Sequence, residues 1–172
     1  MERTALARKI KLLLLDVDGV LTDGKLYYGN AGEELKAFNI QDGLGIKLLQ
    51  RQGIRVGIIT GRKSELVARR AAELGIDPLI QGREDKLNAL DEVLADLGIA
   101  REEVAFMGDD LPDLPVIRRV GFGITPANGN AEVAKAAHLQ TKLRGGDGAV
   151  REAAEFLLRA QGKLDSALEA YR

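Results

Sequence analysis

The chain has no cysteine and no tryptophan, and it carries one histidine in 172 residues. The lack of cysteine excludes disulfides, thiolate zinc sites and a thiol nucleophile. A lone His138 excludes a histidine metal cluster and argues against a Ser-His-Asp triad; within AHLQT it reads as a strand-edge residue. An excess of one charge is also missing. Twenty-five basic residues meet 26 acidic ones, for a net charge of −1, and no basic stripe would follow a nucleic-acid backbone or an anionic membrane. Long hydrophobic runs are absent too. The opening MERTALARKIKLLLLD has basic residues and an apolar run, but the run is too short for a membrane span. Asp16 ends it without a small-residue cleavage site. A cytoplasmic protein with no membrane or nucleic-acid partner is expected.

What remains is the composition of a globular protein, 45% apolar and 30% charged, with no repeat or low-complexity tract. The length suits a single domain over residues 1–172. Short apolar runs bounded by Gly, Asp or Pro read as strands buried on both faces: IKLLLL (10–15), IRVGIIT (54–60), PLIQ (78–81), EVAFMG (103–108) and VGFGI (120–124). Between them DGLGIKLLQRQG, SELVARRAAELG, DKLNALDEVLADLG and NAEVAKAA place apolar residues three and four apart. Several open on Asp, Ser or Asn and close on Gly. A weak strand near AHLQT and an amphipathic helix from about 148 to 161 complete the pattern. This alternation predicts an α/β fold, a doubly wound Rossmann-like parallel sheet with helices on both faces. The segment 24–40 breaks the rhythm. Two β-prone stretches flank GNAG, which predicts a hairpin with Tyr27 and Tyr28 on its two faces.

Ligands of an open parallel sheet bind beyond the carboxyl ends of its strands. Asp16 and Asp18 follow the first strand and Thr60-Gly61-Arg62 the second. Lys86 follows the third at the mouth of a helix, and Gly108-Asp109-Asp110 with Asp113 follows the fourth. Singly these are ordinary turns and caps. Together they suit phosphoryl transfer through an aspartate. Asp16 could attack phosphorus, and with Asp109 hold Mg²⁺, a hard ion that takes oxygen ligands. Asp18 could protonate the leaving alkoxide and then deprotonate water. Thr60 and helix-opening N–H groups would bind phosphoryl oxygens, with Lys86 neutralising their charge.

Hydrophobic-DxDGVLTDG, IITGR, the later Lys86 and GDDLPD resemble the four motifs of the haloacid dehalogenase-like phosphatases. Over nearly the whole chain, DGKLYYGNAGEELKAFNIQDGLGIK, QGREDKL, VAFMGDDLPDLPV, GGDGAVRE and QGKLD resemble its 3-deoxy-D-manno-octulosonate 8-phosphate phosphatases. That resemblance implies a Mg²⁺-dependent hydrolase of an eight-carbon sugar-acid phosphate in the synthesis of the inner lipopolysaccharide sugar. It implies Asp16 as nucleophile, Asp18 as acid/base that also lends its backbone carbonyl to the metal, and Asp109 as the third protein ligand. Asp110 and Asp113 would have supporting roles. Asn39, Ile40, Gln41, Asp42, Gly43, Lys47, Gly61, Arg62 and Arg70 would line the substrate site with Lys86. Guanidinium groups at 62 and 70 suit the carboxylate of a sugar acid, although a helix arginine beside Arg69 also reads as a solvated one.

About 44 residues separate Asp16 from Thr60 and about 26 separate Thr60 from Lys86, which leaves no room for a cap domain. A neighbouring subunit would then shield the site, and the resemblance implies tetramers with hairpin 24–40 at the interface. GGDGAVRE (145–152) reads either as a flexible loop that closes with Arg151 over a bound anion or as a glycine turn into the last helix, within a tail spanning 142–172. Two rival functions are a KDN 9-phosphate (sialic-type) phosphatase and a non-catalytic oligomerising module. Arg62 disfavours the first, since the nine-carbon group tends to carry Glu there. The intact acids, Thr60 and Lys86 disfavour the second.

Overall fold

The computed structural model describes residues 2–172. Its main sheet has six parallel strands: β1 (Leu12–Leu15), β4 (Arg55–Ile59), β5 (Leu79–Ile80), β6 (Val104–Met107), β7 (Phe122–Thr125) and β8 (Leu139–Gln140). They lie in the order β5-β4-β1-β6-β7-β8. A separate antiparallel pair, β2 (Tyr27–Tyr28) and β3 (Glu34–Leu35), is the expected hairpin. Tyr27 pairs with Leu35 and Tyr28 with Glu34, so the two tyrosines occupy opposite faces.

The leucines of β1 alternate between two cores. Leu13 and Leu15 pack with α2 (Ile40–Arg51), α3 (Glu65–Leu74) and α7 (Ala149–Ala160), through Ile46, Leu49, Val67, Ala71, Ala153 and Leu157. Leu12 and Leu14 pack with α4 (Lys86–Leu97), α5 (Leu114–Ile117) and α6 (Ala131–Ala136), through Leu90, Val93, Val116, Ile117 and Val133. All four leucines are fully buried, each stabilising the fold by about 1.5–3 kcal/mol. That two-sided burial holds β1 at the centre and fixes where its end points.

Three helices go beyond the sequence reading: α1 (Glu2–Ala7), α5 and α8 (Leu164–Leu168). The first helix of the reading, α2 here, begins earlier than DGLGIKLLQRQG suggests. Asn39 caps α2, its side chain accepting from the N–H groups of Gln41 and Asp42. His138 adjoins the edge strand β8, where its Nδ1 accepts from Gly123 N–H at 2.9 Å. Between β1 and α2 only the hairpin intervenes among the described residues, in keeping with the absence of a cap.

Candidate active site

From β1 the chain moves outward through β4 and β5, then crosses back to β6 on the other side of β1. The β1/β6 boundary is therefore the topological switch point, where open α/β sheets bind ligands. Leu15 is in register with Met107, and Asp16 N–H donates to the Met107 carbonyl at 2.9 Å. Asp16 and Asp109 are thus set side by side by strand pairing. Gly19, at φ +86°, makes room for them; a Cβ there would overlap the Asp109 carboxylate.

A cleft of about 630 Å³ opens at this rim. Its lining includes Asp16, Asp18, Thr60, Gly61, Arg62, Lys86 and Asp109, together with Glu84, Asp110 and Asp113. Lys86, the first residue of α4, is buried between two acids. Its Nζ lies 2.6 Å from Asp113 Oδ1 and 3.1 Å from Asp16 Oδ2. Burial alone would lower the Lys86 pKa, but Asp16 and Asp113 outweigh it and the net shift is upward, so the ammonium is charged. The other oxygen of Asp113 accepts from the N–H groups of Asp109 and Asp110, at 3.0 and 3.3 Å. Asp113 therefore braces Lys86 and the Asp109 backbone, the supporting role expected of it. Asp110 Oδ1 accepts from Leu111 N–H and caps the turn that follows.

Oxygens of Asp16, Asp109 and Asp113 gather within 4.8 Å of one another. Burial, with Asp113 adding and Lys86 opposing, raises the Asp16 carboxyl to about 6. Burial, then Asp16, Asp113 and Asp110, raises Asp109 to about 7. One lysine does not balance three acids, and among the described residues nothing donates a hydrogen bond to the Asp109 carboxylate. A hard divalent cation with oxygen ligands fits this surplus. Both Asp113 oxygens are engaged, and Asp16 accepts from Val17 N–H at Oδ1 while its Oδ2 faces Lys86, so among the described residues Asp109 is the acid of this cluster with no donor, with Asp16 beside it.

The other residues expected at the substrate site lie outside the lining of this cleft. Asp42 is buried and accepts from Arg151 N–H at 2.8 Å at the start of α7. Burial raises its carboxyl. Ile40 and Gln41 are exposed on the first turn of α2. The Arg70 guanidinium packs against Gly43, stands 6.0 Å from the centre of the Phe38 ring and bonds Glu73. Lys47 points at Gly75, the C-cap of α3, where a cation is favourable. Arg62 stays on the cleft and pairs with Glu34 of the hairpin at 3.2 Å.

The GGDGAVRE segment forms a glycine turn that leads into α7. Gly145 N–H donates to Asn128 Oδ1 at 2.6 Å and Gly146 N–H to the Val20 carbonyl at 3.1 Å, while Asn128 Nδ2 donates to the Gly19 carbonyl. The tail is thereby tied to the turn after Asp16. The Arg151 side chain is held by Glu155 at 2.6 Å rather than aimed at the cleft. Sequence reasoning missed Asn128, and it missed Lys36, whose Nζ lies 2.6 Å from Asp18 Oδ1. Neither residue carried a local sequence signal, since each contact joins segments far apart in the chain.

Residues 79–152 match the haloacid dehalogenase-like hydrolase family. The 3-deoxy-D-manno-octulosonate 8-phosphate phosphatase KdsC of Escherichia coli is 52% identical over 163 residues, covering 95% of this chain and 87% of that protein. Two solved structures superpose closely. A probable YrbI family phosphatase from Pseudomonas syringae has a TM-score of 0.97 at 52% identity, over 99% of this chain and 97% of the other. The 3-deoxy-D-manno-octulosonate 8-phosphate phosphatase of Moraxella catarrhalis, in complex with magnesium, phosphate and KDO, has a TM-score of 0.98 at 46% identity, over 99% and 98% of the two chains. With such identity carried over almost its whole length, the chain belongs to the 3-deoxy-D-manno-octulosonate 8-phosphate phosphatase family of haloacid dehalogenase-like hydrolases.

Proposed function

We propose that this protein is a Mg²⁺-dependent phosphatase that hydrolyses 3-deoxy-D-manno-octulosonate 8-phosphate in lipopolysaccharide inner-core sugar synthesis. The observation that carries the reading is the meeting of Asp16, Asp18, Thr60, Lys86 and Asp109 on one cleft at the switch point. The family membership supports it.

The Asp16 carboxylate attacks phosphorus, forming an Asp16 O–P bond as the P–O bond to the sugar breaks. Asp18 gives its proton to the departing alkoxide. Asp18 then takes a proton from water as that water attacks phosphorus and the Asp16 O–P bond breaks, which releases phosphate and restores both acids. Thr60 and the N–H groups beside it bind phosphoryl oxygens, and the Lys86 ammonium, already poised against Asp16, balances their charge. Asp16 and Asp109 carboxylates with the Asp18 backbone carbonyl would hold Mg²⁺, which when bound neutralises phosphoryl charge and orients the group for attack. Gly61 and Arg62 extend the cleft toward the sugar acid. Asn39–Gly43, Lys47 and Arg70 are proposed to serve the substrate within an assembly rather than from this cleft alone.

We read the 172 residues as one functional unit, located in the cytoplasm, with the hairpin as a flap and residues 142–172 as a bracing tail. A homotetramer is proposed because Leu26, Tyr27, Tyr28, Leu35 and Ile40 present exposed apolar surface beside the cleft. A kinetic panel of 3-deoxy-D-manno-octulosonate 8-phosphate, KDN 9-phosphate and simple sugar phosphates tests the reading. The highest kcat/KM is expected for the eight-carbon acid; a preference for the nine-carbon acid would reassign the substrate.

A further inference from the structure

The hairpin does more than flank the cleft. Glu34 and Leu35 alternate along β3, Leu35 being 64% exposed, and Lys36, just past the strand, brings its ammonium to the Glu34 side. The Lys36 side chain is only 3% exposed, although it belongs to a short hairpin at the surface. Its Nζ lies 2.6 Å from Asp18 Oδ1 and 3.3 Å from Glu34 Oε1. Glu34 Oε1 is in turn 3.2 Å from Arg62 Nη2. Charges of alternating sign, Asp18–Lys36–Glu34–Arg62, thus run along the rim. Burying an ammonium is costly unless good partners surround it, and ordering a four-carbon stem adds to the cost. The reaction as derived above gives Lys36 no task.

Its place suggests one. Asp18 stands two residues from Asp16, on the same cleft, yet its carboxylate is not among the three that converge within 4.8 Å. A fourth acid drawn into that cluster would be lost as a proton carrier. The Lys36 ammonium holds Oδ1 on the hairpin side, which leaves Oδ2 to carry the proton. A carboxyl oxygen can accept this hydrogen bond whether Oδ2 is protonated or not, so the contact survives both halves of the reaction. Glu34 anchors Lys36 from behind and ties it to Arg62. We propose that Lys36 is a positioning residue, which holds the Asp18 carboxyl toward the leaving-group oxygen and away from the acid cluster. The proposal rests on the reading of Asp18 as acid/base and goes beyond it, because it makes the hairpin part of the acid's geometry within one subunit.

The test compares Lys36→Met and Lys36→Arg with wild type on two substrate types, with Lys36→Gln replacing Lys36→Met if that variant does not fold. One is the best alkyl phosphate of the panel, whose alkoxide needs a proton to leave. The other is p-nitrophenyl phosphate, whose phenolate leaves without one. Because kcat/KM reports steps up to the first bond cleavage, Lys36→Met should lose roughly 30- to 100-fold on the alkyl ester, the scale of a misplaced catalytic group. It should lose less than about threefold on the aryl ester, which bypasses the general acid. Lys36→Arg, which keeps a donor, should recover most of the alkyl activity. Crystal structures of wild type and Lys36→Met give a readout independent of turnover: the Asp18 carboxylate should leave its place beside the hairpin in the variant. Equal losses on both substrates, a loss confined to KM, or an unmoved Asp18 would overturn the proposal. Failure of the eight-carbon acid as the preferred substrate would instead strike the functional reading, since the alkyl–aryl contrast does not depend on which alkyl ester is best.

Discussion

Asp109→Asn should stabilise the metal-free protein while removing its response to Mg²⁺. The Asp109 carboxyl is raised from its ordinary 3.8 to about 7, first by burial and then by Asp16, Asp113 and Asp110. A folded-state pKa above the unfolded value means that the folded state holds its proton longer. Stability is thus highest below pH 4, falls as pH rises, and has lost the whole contribution above about 7. A shift of about three units would equal roughly 4 kcal/mol if fully expressed; partial exposure and screening reduce this to about 1–2 kcal/mol. For a chain of this size that corresponds to about 2–8 °C in Tm. Melting followed by circular dichroism in EDTA at pH 8 should place Asp109→Asn above wild type by that amount. At pH 5, where the folded wild type still holds the Asp109 proton but the unfolded chain has largely lost it, the gap should narrow, and it should close only below about pH 4. With Mg²⁺ at 100 times its Kd, wild type should gain about 2.7 kcal/mol and overtake the variant. A variant less stable than wild type in EDTA at pH 8, or one that still gains from Mg²⁺, would refute the electrostatic account of the cluster.

Lys86→Met removes the ammonium that separates Asp16 from Asp113. Phosphatase kcat should fall about 100-fold or more, and urea unfolding without metal should show a loss of roughly 3 kcal/mol; activity within tenfold of wild type would remove Lys86 from the site. Sedimentation should find an oligomer that Leu35→Glu weakens, since Leu35 is exposed on the hairpin face turned away from Glu34 and Lys36; a fully active monomer would contradict shielding by a neighbour.

The sheet was legible because β1, β4, β6 and β7 are short apolar runs buried on both faces, and punctuated by Gly and Asp. Such runs bring their flanking residues to the rim whatever the loop details, which is why Asp16, Thr60, Lys86 and Asp109 could be placed together from sequence. The α5 helix escaped notice because Pro112 and Pro115 look like breakers. Each sits in the first turn of its helical segment, where proline is tolerated. At five residues α8 is too short to display a period. Lys36 could not be read for a different reason. Its contact with Asp18 crosses 18 positions and depends on how the hairpin folds back over the cleft, which no local pattern encodes. The same holds for Asn128, whose bonds to Gly19 and Gly145 join three separate turns.

In the proposed mechanism both chemical steps pass through Asp16, so its removal tests the account most directly. Phosphate release from 3-deoxy-D-manno-octulosonate 8-phosphate should be measured at saturating Mg²⁺ for wild type and Asp16→Asn, with circular dichroism confirming that both are folded. Wild type should turn over and lose activity in EDTA, while the folded variant should show a rate lower by about 10⁴-fold or more, as expected when a nucleophile is deleted. A folded Asp16→Asn that retains substantial turnover would contradict nucleophilic catalysis by this residue, and with it the role given to the whole cleft.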